Sequence, residues 1–129
     1  MHNAPFAIFS DLDGTLTAPH NPHAARDLAK LVGFAHDHGW PLIVVSGQRS
    51  RDTIDRVLAG RLPKFAAVIG TVGTELRVLQ PNGRYVADEN YAAWVRRRGY
   101  DRQFVAERVQ SLIDTVSAKW PAARLDWQY

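Results

Sequence analysis

At 129 residues the chain has the length of about one domain, enough to bury a core but short for a catalytic core with a separate substrate domain. Its 46% apolar and 22% charged residues exclude disordered and fibrous classes, and a formal charge of +3 suits anionic ligands without the basic stripe of a dedicated nucleic-acid binder. The absence of cysteine rules out disulfides, thiolate metal sites and cysteine nucleophiles. No apolar run reaches the roughly 18 residues of a membrane span, and no secretory leader opens the chain, so the expectation is a cytoplasmic protein with no membrane and no nucleic-acid partner.

Phe6-Ala-Ile-Phe9 is a short apolar run ending in Ser10 and Asp11, the pattern of a buried first strand. Asn21-Pro22 supplies a helix cap and first-turn proline, followed by Ala25, Leu28, Ala29, Val32 and Ala35 at helical spacing, with Gly39 as the stop. Pro41-Leu-Ile-Val-Val45 is unalternated, as in a parallel strand covered by helices on both faces. Ser50 can cap a second helix carrying Ile54, Val57 and Leu58, and Phe65 to Ile69 forms a third strand. The order strand, helix, strand, helix, strand is that of a doubly wound α/β sheet.

Past Gly70 the pattern changes. Thr74 to Leu79 and Arg84 to Ala87 flank Pro81-Asn82-Gly83 and predict an antiparallel hairpin. A short helix follows from about Glu89, with Arg96-Arg97-Arg98 as its solvated end. A longer helix from Asp101 carries Val105, Val109, Leu112, Ile113, Val116 and Trp120 until Pro121. Ala123 to Trp127 reads as a last short strand.

Ligands of open α/β sheets sit beyond the carboxyl ends of the strands, where Asp11 and Ser46 lie on two strands joined by one crossover helix. Gly14 and Gly47 allow close backbone approach, and free N–H groups in such turns suit a phosphate. Bare Asp11 and Asp13 would repel it. A hard cation resolves the conflict, because Mg²⁺ takes one or two carboxylates together with substrate phosphate oxygens. An aspartate can serve as nucleophile through an aspartyl-phosphate, and a second carboxylate can protonate the leaving oxygen and then activate water. His20, His23, His36 and His38 do not make a second metal reading, since His36 and His38 face different ways on a helix.

"DLDGTLT" at 11–17, after an apolar strand, and "VVSGQRS" at 44–50 resemble the first two motifs of the haloacid dehalogenase superfamily of phosphatases. The resemblance implies a Rossmann-like α/β core with Asp11 as nucleophile and Mg²⁺ ligand. It makes Asp13 the general acid/base with its carbonyl on the metal, and Ser46 a hydrogen-bond donor to the phosphoryl group. The backbone amides of Leu12, Asp13 and Gly47 would complete the phosphate cradle. "AAVIGTVGTEL" at 66–76 further resembles the point at which sucrose-phosphate phosphatases leave the core for an inserted α+β cap, with "YDRQFVAERV" and "WPAARLDWQY" like the start of that cap. This implies a core over residues 1–73, a hairpin and partial cap over 74–129, and a sugar phosphate such as sucrose 6-phosphate as substrate.

The chain departs from the family in lacking a convincing third-motif lysine and fourth-motif acidic pair after the cap. Lys119 falls in a helix, Asp126 stands alone, and Asp88-Glu89 follows a hairpin strand. The expectation is therefore the N-terminal portion of a longer phosphatase, whose first strand exposes an edge open to self-association. The alternative is a catalytically incomplete fragment that only binds phosphate or a partner. A flavodoxin-like receiver ranks last, because its phosphorylated aspartate would stand at the third strand, where this chain has Gly70.

Overall fold

A computed structural model describes residues 6–99 and 101–122; the strand expected at 123–127 lies outside the described residues. The elements run β1 (Ile8–Asp11), α1 (Ala24–Asp37), β2 (Leu42–Val45), α2 (Ser50–Leu58), β3 (Ala67–Gly70), a 3₁₀ turn (Thr71–Gly73), β4 (Glu75–Leu79), β5 (Tyr85–Ala87), α3 (Glu89–Arg97) and α4 (Arg102–Lys119). The strands form one sheet in the order β1-β2-β3-β4-β5. The first three are parallel, and β3–β4 and β4–β5 are antiparallel. This is the α/β core expected from the sequence, and β1 stands at an edge of the sheet.

The strand register explains which side chains are buried. Ile8 pairs with Leu42 and Ser10 with Val44, so these point to one face. Leu42, Val44 and Val68 there meet Leu28 and Ala35 of α1 and Ile54 and Val57 of α2 in a single core cluster. Phe9, paired with Ile43, points to the other face and is 63% exposed. The unalternated run at 41–45 predicts helices on both faces. Within this unit α1 and α2 share one face, which is the outcome when successive crossovers step along the sheet in the same direction.

Several boundaries differ from the sequence reading for local reasons. The first strand runs on to Asp11, because Asp11 still pairs with Val45. The third begins at Ala67, since Phe65 leaves the ladder and is held by the Tyr85 phenol, which accepts from its amide (2.9 Å) and donates to its carbonyl (2.8 Å). Phe65 is completely buried, a burial that contributes about 1.5–3 kcal/mol. The half-buried Tyr85 hydroxyl is pushed above its ordinary pKa by desolvation, against the opposing bond to Phe65. Helix α1 starts at Ala24 with His23 at the cap position, and Asn21 Oδ1 instead accepts the His23 amide (2.9 Å).

The expected hairpin is present, closed by Gln80 N–H to Arg84 O (2.8 Å) and by Asn82 Oδ1 accepting from Arg84 N–H (3.0 Å). Because β4 pairs with β3, the hairpin extends the core sheet. The first compact unit accordingly runs over Met1–Ala92, and the second over Ala93–Tyr129. Asp88 caps α3 by accepting the Tyr91 amide (2.8 Å).

The second unit holds the end of α3 and the whole of α4, which Asp101 caps through the Phe104 amide (3.1 Å). Several of its apolar side chains face solvent: Phe104, Leu112 and Trp120 are all more than half exposed. Arg108 lies over the Phe104 ring and Lys119 over the Trp120 ring. Among the described residues no helix is long and apolar enough to cross a membrane.

One backbone feature stands out. Thr71 and Val72, directly after β3, both have positive φ (49° and 53°), a left-handed conformation that costs a β-branched residue dearly. Val72 is also 83% exposed.

Candidate active site

Strands β1 and β2 end side by side, so the loop after Asp11 and the loop after Val45 rise from the same end of the sheet. The first loop is held by its own residues. Leu12 is fully buried, and its carbonyl accepts from the amides of Leu16 and Thr17, both at 2.9 Å. Gly14 turns the chain with φ +86°, and its amide donates to Thr17 O (2.6 Å).

This tight turn brings two threonines back onto the carboxylates. Thr15 Oγ1 donates to Asp11 Oδ2 (2.9 Å), and Thr17 Oγ1 lies 3.1 Å from Asp13 Oδ1 and 3.2 Å from Leu12 O. Arg56 reaches across from α2 and donates from Nη1 to Asp13 Oδ1 at 2.8 Å. Each carboxylate thus has one oxygen engaged by the protein, Oδ2 on Asp11 and Oδ1 on Asp13. Among the described residues the other oxygen of each meets no donor and is open to a ligand.

The second loop begins at Ser46, which is buried. Its Oγ accepts the Gln48 amide (3.0 Å), its own amide donates to Ile69 O (2.9 Å), and its carbonyl accepts from Val72 N–H (3.3 Å). Gly47 is exposed, with open space where a Cβ would stand. Among the described residues the amides of Asp13, Thr15, Gly47 and Arg49 meet no acceptor, so both loops offer donors at this end of the sheet.

Helix α2 follows, and its start differs from expectation. The cap position is Arg49, whose guanidinium pairs with Asp52 (3.2 Å), and Ser50 is the first helical residue rather than the cap. The Ser50 amide and hydroxyl both donate to Glu75 Oε2 from β4 (2.9 and 2.6 Å), and Arg77 Nε donates to Ser50 Oγ (3.0 Å). Burial raises the Glu75 pKa, but the Ser50 bonds and the Arg77 charge outweigh it and hold the carboxyl below its ordinary value.

The sequence reading names Asp11, Leu12, Asp13, Ser46 and Gly47, and the structure brings their two loops to one end of the sheet. It passes over Arg56 and the Ser50–Glu75–Arg77 group. No local signal separates Arg56 from its neighbours Arg49 and Arg51, and Glu75 lies 25 positions from Ser50. Among the described residues no cluster of three or more His, Asp or Glu is arranged to hold a metal. The donors here are carboxylate and carbonyl oxygens of Asp11 and Asp13, the right chemistry for Mg²⁺ but fewer than a full set.

A cavity of about 370 Å³ opens beside this site. Asp13, Thr17, Arg56 and Arg61 line it over an apolar floor that includes Leu28 and Leu62, whereas Asp11 and Ser46 do not line it. The open carboxylate oxygens and loop amides, rather than this cavity, therefore define the candidate site.

The comparisons agree with this geometry. A haloacid dehalogenase-like hydrolase protein from Bacillus subtilis, yhjK, shares the fold with a TM-score of 0.60 at 16% sequence identity. The match covers 85% of this chain and 40% of that one, so the chain spans less than half of that structure's length. No curated protein matches the chain. The family model for sucrose-6F-phosphate phosphohydrolase matches residues 4–118. With nearly all of its length covered by that match, the chain belongs to the sucrose-6F-phosphate phosphohydrolase family, within the haloacid dehalogenase superfamily.

Proposed function

We propose that the chain carries the nucleophile-bearing half of a Mg²⁺-dependent phosphatase site that hydrolyses a phosphate monoester, a sugar phosphate such as sucrose 6-phosphate. The observation that carries this reading is the meeting of the Asp11–Asp13 loop with Ser46 and Gly47 at the ends of adjacent parallel strands. Asp11 attacks phosphorus through the oxygen that Thr15 leaves open, while the ester P–O bond breaks and the leaving oxygen takes a proton from Asp13. Asp13 then removes a proton from water, which attacks phosphorus, breaks the bond to Asp11 and releases phosphate. Ser46 and the amides of Leu12, Asp13 and Gly47 hold the phosphoryl oxygens. Mg²⁺, held by the Asp11 carboxylate and the Asp13 carbonyl, would offset the charge between nucleophile and phosphate.

On this reading residues 1–73 are core and the later residues lead into a cap. The exposed apolar surface of α4 supports a cap in the later residues, while β4 and β5 extend the core sheet past residue 73. The open edge of β1, with Phe9 exposed, is a surface for self-association, and the cysteine-free composition fits the cytoplasm. Mass spectrometry after incubation with a phosphate ester and Mg²⁺ should locate a labile adduct on Asp11. Asp11→Asn should abolish it, and an adduct that persists in this variant would overturn the mechanism.

A second reading, a binding module without turnover, is favoured by the placement of the lysines. Lys30 is in α1, Lys64 precedes β3, and Lys119 is in α4 beside Trp120, so none follows the carboxyl end of a core strand. A phosphatase assay on the 129-residue chain separates the two readings, since steady turnover without any added chain would reject the second.

A further inference from the structure

Helix α2 needs acceptors for its first amides; the Arg49 carbonyl accepts from Asp52 and Thr53, but the Arg49 side chain carries only donors, turned to Asp52, and cannot cap Ser50. Glu75 takes that place from the neighbouring strand, accepting from both the amide and the hydroxyl of Ser50. The hydroxyl in turn accepts from Arg77. Ser50 is completely buried while Glu75 and Arg77 are half-buried, and a carboxylate at a helix N-terminus is well placed for the helix dipole.

The same region of β3 and β4 grips the rest of the loop. A Cβ on Gly70 would lie 2.2 Å from Ser50 N and 2.9 Å from Gln48 O, so only glycine allows this approach. Thr71 N–H donates to Gln48 O (2.7 Å) and Val72 N–H to Ser46 O. With the Gln48 amide on Ser46 and the Ser50 amide taken by Glu75, the loop keeps, among the described residues, the amides of Gly47 and Arg49 for an outside anion.

We propose that Glu75 is a positioning residue for the phosphoryl-binding loop Ser46–Gly47, acting through Ser50 to fix where the Gly47 amide and Ser46 hydroxyl stand. This rests on the phosphoryl reading above and extends it to a residue that touches no substrate.

The test uses the 129-residue chain, with amide hydrogen exchange followed by NMR and titration with beryllofluoride plus Mg²⁺. Glu75→Gln should speed exchange at Gln48, Ser50 and Val72 about tenfold or more while Val44 and Val68 keep wild-type protection, and should weaken beryllofluoride binding about tenfold. Ser50→Ala, which keeps the amide bond to Glu75, should give a smaller change of the same pattern and decides the matter if Glu75→Gln does not fold. Unchanged loop exchange with unchanged affinity would overturn the proposal. So would a uniform rise in exchange across the sheet with unchanged affinity, the sign of a purely structural role. Wild-type protein that fails to bind beryllofluoride would reject the phosphoryl reading alone, and the exchange pattern would still decide whether Glu75 fixes the loop.

Discussion

The two loops at the carboxyl end of the sheet are held by opposite means. The loop at 11–17 closes almost entirely on itself, through bonds between residues no more than five positions apart. The loop at 46–50 is fixed from outside, by Ile69, Gly70, Thr71, Val72, Glu75 and Arg77. A self-contained turn carries its geometry with its sequence wherever it is placed. A loop gripped by a neighbouring hairpin has a geometry only as good as the hairpin's packing, so changes in β3 and β4 should reach Ser46 and Gly47 while sparing Asp11.

The sharpest way to break this contrast is Gly70→Ala. The added methyl meets the backbone of Ser50 and Gln48, which must move, so a loss of about 1–3 kcal/mol is expected in urea denaturation. Amide shifts at Ser46 to Ser50 should accompany it with little change at Gly14 to Thr17; equal shifts in both loops would remove the contrast.

Arg56→Met tests the one long-range side-chain bond of the first loop among the described residues, from 43 positions away. The pair is partly exposed, so the cost should be about 1 kcal/mol or less, with amide shifts centred on Asp13 and Thr17. Larger losses would show that the first loop also depends on the rest of the fold.

Acid should affect the second loop in a defined direction. Glu75 has a folded pKa below its ordinary 4.5, so its contribution is present above that value and is lost as pH falls through the lowered one. The stability gap between wild type and Glu75→Gln should therefore be constant near neutral pH and shrink in acid below about pH 4.5; a gap that widens there would reverse the sign. The smallest effect is expected from Thr15→Val, about 1 kcal/mol or less, since it removes one exposed hydrogen bond to Asp11 and leaves the turn intact.

The same contrast explains what could be read from the sequence. Asp11-x-Asp13-Gly14 after an apolar run is legible because its structure is made within seven residues, and Pro81-Asn82-Gly83 is legible because its turn chemistry is local. The three parallel strands follow from apolar runs of the right length. Local pattern gave no access to the cap of α2, where the acceptor sits on another strand, or to Arg56, one arginine among several on a helix. The run at 41–45 also misleads in a physical way: an unbroken apolar strand has two apolar faces, yet the pattern does not say which residues will cover the second.

The left-handed pair at Thr71 and Val72 has a consequence for protein engineering. Val72 is exposed and contributes little to any core, so its conformational cost of about 1–2 kcal/mol is not returned by packing. Val72→Asn, a residue that tolerates this backbone, should raise the melting temperature. A thermostabilisation campaign would find that substitution early, and comparing phosphoryl-ligand binding before and after it would measure what the natural valine does for the molecule beyond folding.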